Sequence, residues 1–194
     1  GIFDFGGNAY HCVHLNDRDI ELLTQKNVWA VTNPSSNLKL ASGIADIDKY
    51  LKKGLKTAIG TDGAASNNAL NMLREIYLTA VLSKAINNNA SAVSAKTVLK
   101  MATLGGAQAL GNSSGVLKVG ADADITAISF DNPNMQPVNN IINNIVYSAS
   151  SNNIILTMVK GNILYENGEY NIGVSKEEIY KKCNDAIKRL KAQA

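Results

Sequence analysis

Gly60-Thr61-Asp62-Gly63-Ala64-Ala65-Ser66-Asn67-Asn68 is the stretch that decides the fold. Ahead of it lies Lys56 to Ile59, a short apolar run of strand length. Behind it a helical pattern begins near Asn68 and runs to about Ile86, with Leu70, Leu73, Tyr77, Ala80 and Val81 on one stripe. Asp62 therefore stands at the carboxyl end of a strand, before a Gly-containing turn that opens a helix. In β/α folds that rim is where catalytic side chains gather. A carboxylate there serves as a metal ligand, as a general base or, since Asp-Gly is a frequent turn pair, as a turn-former.

The second stretch is His11-Cys12-Val13-His14, which holds the only two histidines of the chain. A strand over Asn8 to Val13 would alternate its side chains, so His11 and Val13 would share one face and Cys12 and His14 the other. That alternation keeps the two histidines from ligating one metal together. One is expected to point into a site while the other packs or caps the next helix.

Working outward, Asn16-Asp17 predicts the start of a helix over Arg18 to Lys26, with Ile20, Leu22 and Leu23 inward. Val28 to Thr32 reads as a strand that stops at Asn33-Pro34, with Ser35 and Ser36 in a polar loop at the same rim as His11. Asp46 opens a helix closed by Gly54. Strands alternating with helices over short links predict a parallel α/β arrangement. Ser94 caps another helix, and Gly105-Gly106 marks a break or a close packing point. From Gly120 the composition changes to short strands: Asp124 to Phe130, Val146 to Ala149, Ile154 to Lys160 and Ile163 to Glu166. Lys160-Gly161-Asn162 is a tight turn. Asp122 and Asp124 flank a Gly-rich turn and read as structural. Ser175 with Glu178 has the form of a capping box for a last helix over Lys176 to Lys191, with Ile179, Cys183, Ile187 and Leu190 inward. The expected segments are 1–114, 115–172 and 173–194.

At 194 residues and net charge +3, the chain can bury one ordinary core and carries no basic patch that suits nucleic acid. No apolar run is long enough for a bilayer, and no signal peptide opens the sequence. Cys12 and Cys183 form neither a CxxC pair nor a disulfide framework, which predicts a cytoplasmic protein.

Three stretches together resemble one family: His11 to Leu15, Asn33-Pro34-Ser35-Ser36-Asn37-Leu38-Lys39-Leu40-Ala41-Ser42-Gly43-Ile44-Ala45, and Gly60 to Asn68. They resemble the amidohydrolase superfamily, in particular the 5-methylthioadenosine/S-adenosylhomocysteine deaminases and their chlorohydrolase-like relatives. One departure is Thr32, where relatives often carry a His. The resemblance implies the C-terminal part, about three β/α units, of a TIM-type (β/α)8 barrel. Part of a small β-sandwich and a C-terminal helix would come after it. It implies a zinc or other divalent metal, an aminopurine nucleoside substrate and hydrolytic deamination by a metal-activated water. It assigns Asp62 as a catalytic proton carrier and metal ligand, and His11 as the catalytic residue that holds the attacking water. Ser66, Asn67 and Asn68 are expected to hold the Asp62 loop and cap the following helix. The family's His-x-His motif and its later His and Glu have no counterpart here, so the chain alone is expected to be inactive. The open flank of a partial barrel predicts a homo-oligomer. Two alternatives remain: a chlorohydrolase or a guanine- or cytosine-deaminase-like enzyme, and a non-catalytic scaffold.

Overall fold

The computed structural model describes residues 1–193. They fall into two compact units, Gly1–Ala121 with Phe130–Asn152, and Asp122–Ser129 with the chain from Asn153 onward. Residues 130–152 thus pack with the first unit, although their composition groups them with the strands of the second.

The first unit is built on three parallel strands, β1 (Gly7–Tyr10), β2 (Val28–Thr32) and β3 (Lys56–Ile59), in the order β1-β2-β3. Ala9 pairs with Ala30, and Ala30 with Thr57. Helix α1 (Asp17–Gln25) joins β1 to β2, while α2 (Pro34–Lys39) and α3 (Ile47–Lys52) join β2 to β3. Asn16 caps α1 in a full capping box with Asp19. Ile20 and Leu23 turn inward as expected, but Leu22 is partly exposed. Central β2 reads Val-Trp-Ala-Val-Thr, a nearly continuous apolar run, and Val28, Ala30, Val31 and Thr32 are all buried, as in the middle of a parallel sheet. Tyr50 of α3, Leu55 and Ile20 are almost fully buried against it. Each buried Leu or Ile of this kind is worth about 1.5–3 kcal/mol of transfer free energy.

After β3 come α4 (Ala64–Asn67), α5 (Met72–Ile86), α6 (Ala95–Lys100), a π-helical turn (Met101–Gly105) and α7 (Gly106–Ala109). The long helix starts at Met72 and not near Asn68. Asn68 and Leu70 have φ of 68° and 45°, which breaks the helix, and Asn71 caps the new start. Ser94 caps α6 as predicted. At Gly105 a Cβ would stand 2.9 Å from the Thr57 carbonyl oxygen, so the turn packs backbone against β3. The segment expected as a strand at Val146 to Ala149 instead ends a helix, α8 (Ile141–Tyr147). Its apolar residues fall at Ile141, Ile142, Ile145 and Val146, a helical spacing, and the Asn140 side chain caps the first turn.

The second unit is an antiparallel meander of β4 (Ile125–Ile128), β5 (Ile154–Val159), β6 (Asn162–Glu166) and β7 (Glu169–Tyr170), followed by α9 (Lys176–Ala192). Ser175 caps α9, but the box is not closed, because the Glu178 carboxylate pairs with Lys182 at 2.7 Å. None of the expected inward residues of α9 is buried; Ile187 and Leu190 are 51% and 62% exposed. No helix of the described residues is long and apolar enough to cross a membrane.

Candidate active site

The sheet order places β2 between the two strands that carry the candidate residues. β1 stops at Tyr10, so the predicted alternation through Val13 does not occur. His11 and Cys12 have φ of 67° and 51°, a left-handed pair that turns the chain off the sheet. Two consecutive non-glycine residues in this region are strained and persist only when their surroundings hold them. Here the His11 N–H donates to the Val31 carbonyl at 2.8 Å and the Cys12 N–H to Tyr10 at 2.8 Å. The hydroxyl of buried Tyr50 donates to the Cys12 carbonyl. Burial pushes the Cys12 thiol up to about 11, opposed by a bond from the Val31 backbone, so it is no nucleophile near neutral pH. Burial, with Cys12 next to it, pushes Tyr50 up to about 12.

Asp62 follows β3 and also has a left-handed φ of 61°. Its Oδ2 accepts from Ser36 Oγ at 2.6 Å and Ser66 Oγ at 2.7 Å, and its Oδ1 from the Gly63 N–H at 2.6 Å. The Ser36 hydroxyl first, then Ser66 and Gly63, hold the carboxyl down to about 2. Just before Asp62, Gly60 makes room for the Asn33 side chain, since a Cβ there would lie 2.5 Å from Asn33 Oδ1.

The rim of β2 is a helical turn rather than the expected loop, and it joins the two candidates through adjacent residues. Ser36 bonds Asp62, and Asn37 Oδ1 lies 2.8 Å from His11 Nδ1. With Nδ1–H donating to the Asn37 oxygen, neutral His11 leaves the Nε2 lone pair facing Asp62 Oδ2, 3.9 Å away. A gap of 3.9 Å lets one water bond to both groups.

His14 lies outside this arrangement, exposed, with its ring against Gly43. Ser66 bonds Asp62 directly and Asn67 is buried at the end of α4, while Asn68 is the C-cap of α4 and meets Lys39, and the following helix α5 is capped by Asn71 instead. Asp124 accepts from the Lys160 N–H at 2.8 Å and so fastens a hairpin of the second unit. The sequence places Ser36 and Asn37 at this rim in a holding role without showing which partner each takes, and it gives Glu75 no role. Glu75 is 0% exposed in α5, with Oε2 accepting from the Ser35 N–H at 2.9 Å and Oε1 from Asn67 Nδ2 at 2.8 Å. A signal was present, because Glu75, Thr79 and Ser83 form a polar stripe at fourfold spacing within an apolar helix.

The amidohydrolase family's sequence profile matches residues 3–164. The chain belongs to the amidohydrolase family.

Among similar members, a 5-methylthioadenosine/S-adenosylhomocysteine deaminase of Thermoanaerobacter pseudethanolicus is 46% identical over 171 residues, covering 87% of this chain and 40% of that protein. A 5'-deoxyadenosine deaminase of Methanosarcina acetivorans is 43% identical over 187 residues, covering 96% of this amidohydrolase chain and 43% of that protein. In three dimensions the chain is similar to a zinc-bound adenosine deaminase from Xanthomonas campestris. The TM-score is 0.91 at 33% identity, over 95% of this chain and 42% of that one. It also resembles an atrazine chlorohydrolase from Arthrobacter aurescens complexed with zinc, with TM-score 0.84 and 28% identity over 92% and 40% of the two chains. The chain thus spans well under half the length of these relatives.

Amidohydrolase membership implies a metal, and the residues present do not make a site for one. A catalytic zinc takes three protein ligands. Among the described residues no group of three or more His, Cys, Asp or Glu is placed to hold a metal ion. Nor does the pair meet the spacing. Two ligands of a tetrahedral zinc lie roughly 3.3–3.6 Å apart, from bond lengths of about 2.0–2.2 Å. His11 Nε2 and Asp62 Oδ2 are 3.9 Å apart.

Proposed function

We propose that these 194 residues are part of a longer metal-dependent aminohydrolase that deaminates an aminopurine nucleoside such as 5-methylthioadenosine, S-adenosylhomocysteine or adenosine. In this reading the three parallel β/α units belong to a (β/α)8 barrel, the meander to a small β-sandwich, and further metal ligands come from beyond these residues. The observation that carries it is the convergence of His11 Nε2 and Asp62 Oδ2 to 3.9 Å at the carboxyl rim of a parallel sheet, within a chain whose relatives bear deaminase names.

The roles are those that the family resemblance implies, and the geometry supports them. His11, fixed by Asn37, accepts from a water and orients it. Asp62 accepts from the same water, takes its proton as the oxygen bonds to the ring carbon, and hands that proton on to the amine, which leaves as ammonia. A bound metal would supply the acidity that lets a carboxylate such as Asp62 take a proton from water near neutral pH. The chain alone is therefore expected to bind water at this site without turning over. A second reading, halide displacement, is supported by the likeness to atrazine chlorohydrolase. The open sides of β1 and β3 support pairing with further strands or a second copy. Two free cysteines fit a cytoplasmic setting.

The test is ammonia release by the whole protein carrying this segment, with zinc, on the three nucleosides, guanine, cytosine and a chlorotriazine. Release from the nucleosides alone is expected. Chloride release from the triazine with inert nucleosides would replace this reading with the second.

A further inference from the structure

One buried carboxylate stands behind both reacting groups without touching either. Glu75 Oε2 accepts from the N–H of Ser35, the residue before the Ser36-Asn37 pair that grips Asp62 and His11. Its Oε1 accepts from Asn67 Nδ2, which also donates to the carbonyl of Thr61, next to Asp62, at 2.6 Å. Asn67 is itself held by Arg74, whose Nη2 donates to Asn67 Oδ1 at 2.6 Å.

We propose that Glu75 is the positioning residue of this site. Its carboxylate ties the rim of β2 to the loop after β3, and so sets the separation of His11 and Asp62. The inference rests on the reading of those two as the reacting pair, but its test does not use turnover.

Two observations argue for a carboxylate rather than a packing residue. Both groups that face it are N–H donors, so both of its oxygens must accept. A glutamine would satisfy one donor and set its own amide N–H against the other. Burying a charge is also unfavourable unless its oxygens are bonded, so an apolar side chain would suit this helix better if packing were the only demand.

The test is nuclear magnetic resonance on the nitrogen-15-labelled chain at one fixed pH where His11 is neutral. Three signals report. The Ser35 amide proton senses Glu75, the Gly63 amide proton senses Asp62, and the His11 ring nitrogens show which one carries the proton. In the wild type the proton sits on Nδ1. Glu75→Gln is expected to move the His11 nitrogens toward the averaged values of a mixed tautomer. It should also remove most of the Gly63 displacement, while amides of β2 stay in place. Ser83→Ala, two turns along the same buried face, should move none of the three. A folded Glu75→Gln with wild-type His11 and Gly63 signals would overturn the proposal, and so would a Ser83→Ala that moves them equally. If Glu75→Gln does not fold, Asn67→Ala decides. It cuts the loop arm only, so Gly63 should shift while Ser35 stays, and a shift of both or of neither overturns the idea. A whole protein that deaminates nothing would remove the functional reading and leave this anchor standing.

Discussion

The strand ends of the first unit and the hairpin turns of the second solve one backbone problem in opposite ways. Both need residues with positive φ. In the meander these are Lys160-Gly161 and Asn167-Gly168, with φ of 47° and 79°, and 46° and 98°. Registers of Val159 with Asn162 and Glu166 with Glu169 make each a two-residue hairpin. Glycine and asparagine adopt these angles readily, and at Lys160, the exception, the Asp124 carboxylate accepts from the N–H at 2.8 Å. At the strand ends the same angles fall on His11, Cys12 and Asp62, which lack glycine's freedom, Cys12 most of all. There the strain is held by Tyr50, Val31, Asn37, Ser36 and Ser66. The difference is between turns that reverse a chain and turns that aim a side chain.

Substitutions can break or sharpen that contrast. The largest effect is expected for His11→Gly and Asp62→Asn in the whole protein. Each should lower kcat/KM for the nucleoside by about 10²–10⁴-fold, the usual worth of a positioned acid–base group. His11→Gly should do so while leaving the urea midpoint unchanged or raised, since it relieves strain. A large fall in stability with retained activity would erase the distinction between aimed and plain turns.

The two thiols come next. With Cys12 up at about 11, roughly one thiol in a thousand is ionised at pH 8, so iodoacetamide should label exposed Cys183 and spare Cys12 until the chain unfolds. Mass spectrometry of the peptides reads the ratio, and equal labelling would mean that the His11-Cys12 turn opens freely.

Tyr50→Phe removes the clamp on the Cys12 carbonyl and leaves that buried oxygen unpaired. A loss of about 1–3 kcal/mol in urea denaturation is expected. By contrast Lys160→Asn, in a plain turn, should raise stability by up to about 1 kcal/mol and leave activity alone.

The smallest effect concerns acid. Asp62 has a depressed carboxyl, so its contribution is present above the ordinary carboxylate range near 3.8 and is lost as pH falls toward about 2. The side chain is partly exposed, which keeps that contribution small. Asp62→Asn should flatten the acid limb of the stability curve between about pH 4 and 2 and lower stability slightly at pH 7, where the wild-type contribution is fully present.

Much was legible before the fold was seen. The strand-turn-helix context of Asp62, the caps at Asn16, Asp46 and Ser94, and the hairpin turn at Lys160-Gly161 are local signals, and the structure carries each of them. Two errors came from reading a local pattern too far. A strand through Val13 ignored that tertiary bonds can hold His11 and Cys12 left-handed. A strand at Val146 ignored the helical spacing that begins at Ile141, and Val146 is buried in the first unit's core as part of α8. The exposed face of α9 was a third miss, because amphipathic spacing shows that a face could be buried, not that anything covers it.

The sequence by itself determined which residues could do chemistry. Only two histidines exist, one carboxylate sits at a strand-to-helix turn, and the family motifs name His11 and Asp62. Only the tertiary structure decided that they meet. The meeting depends on a parallel sheet that sets β1 and β3 on either side of β2, on adjacent side chains of α2 that reach one to each partner, and on Glu75 behind them. The physical reason is range. Caps and turns are settled by bonds between residues a few positions apart, which a sequence displays. The pair is set by bonds between residues 26 and 40 positions apart, which exist only once the chain has folded.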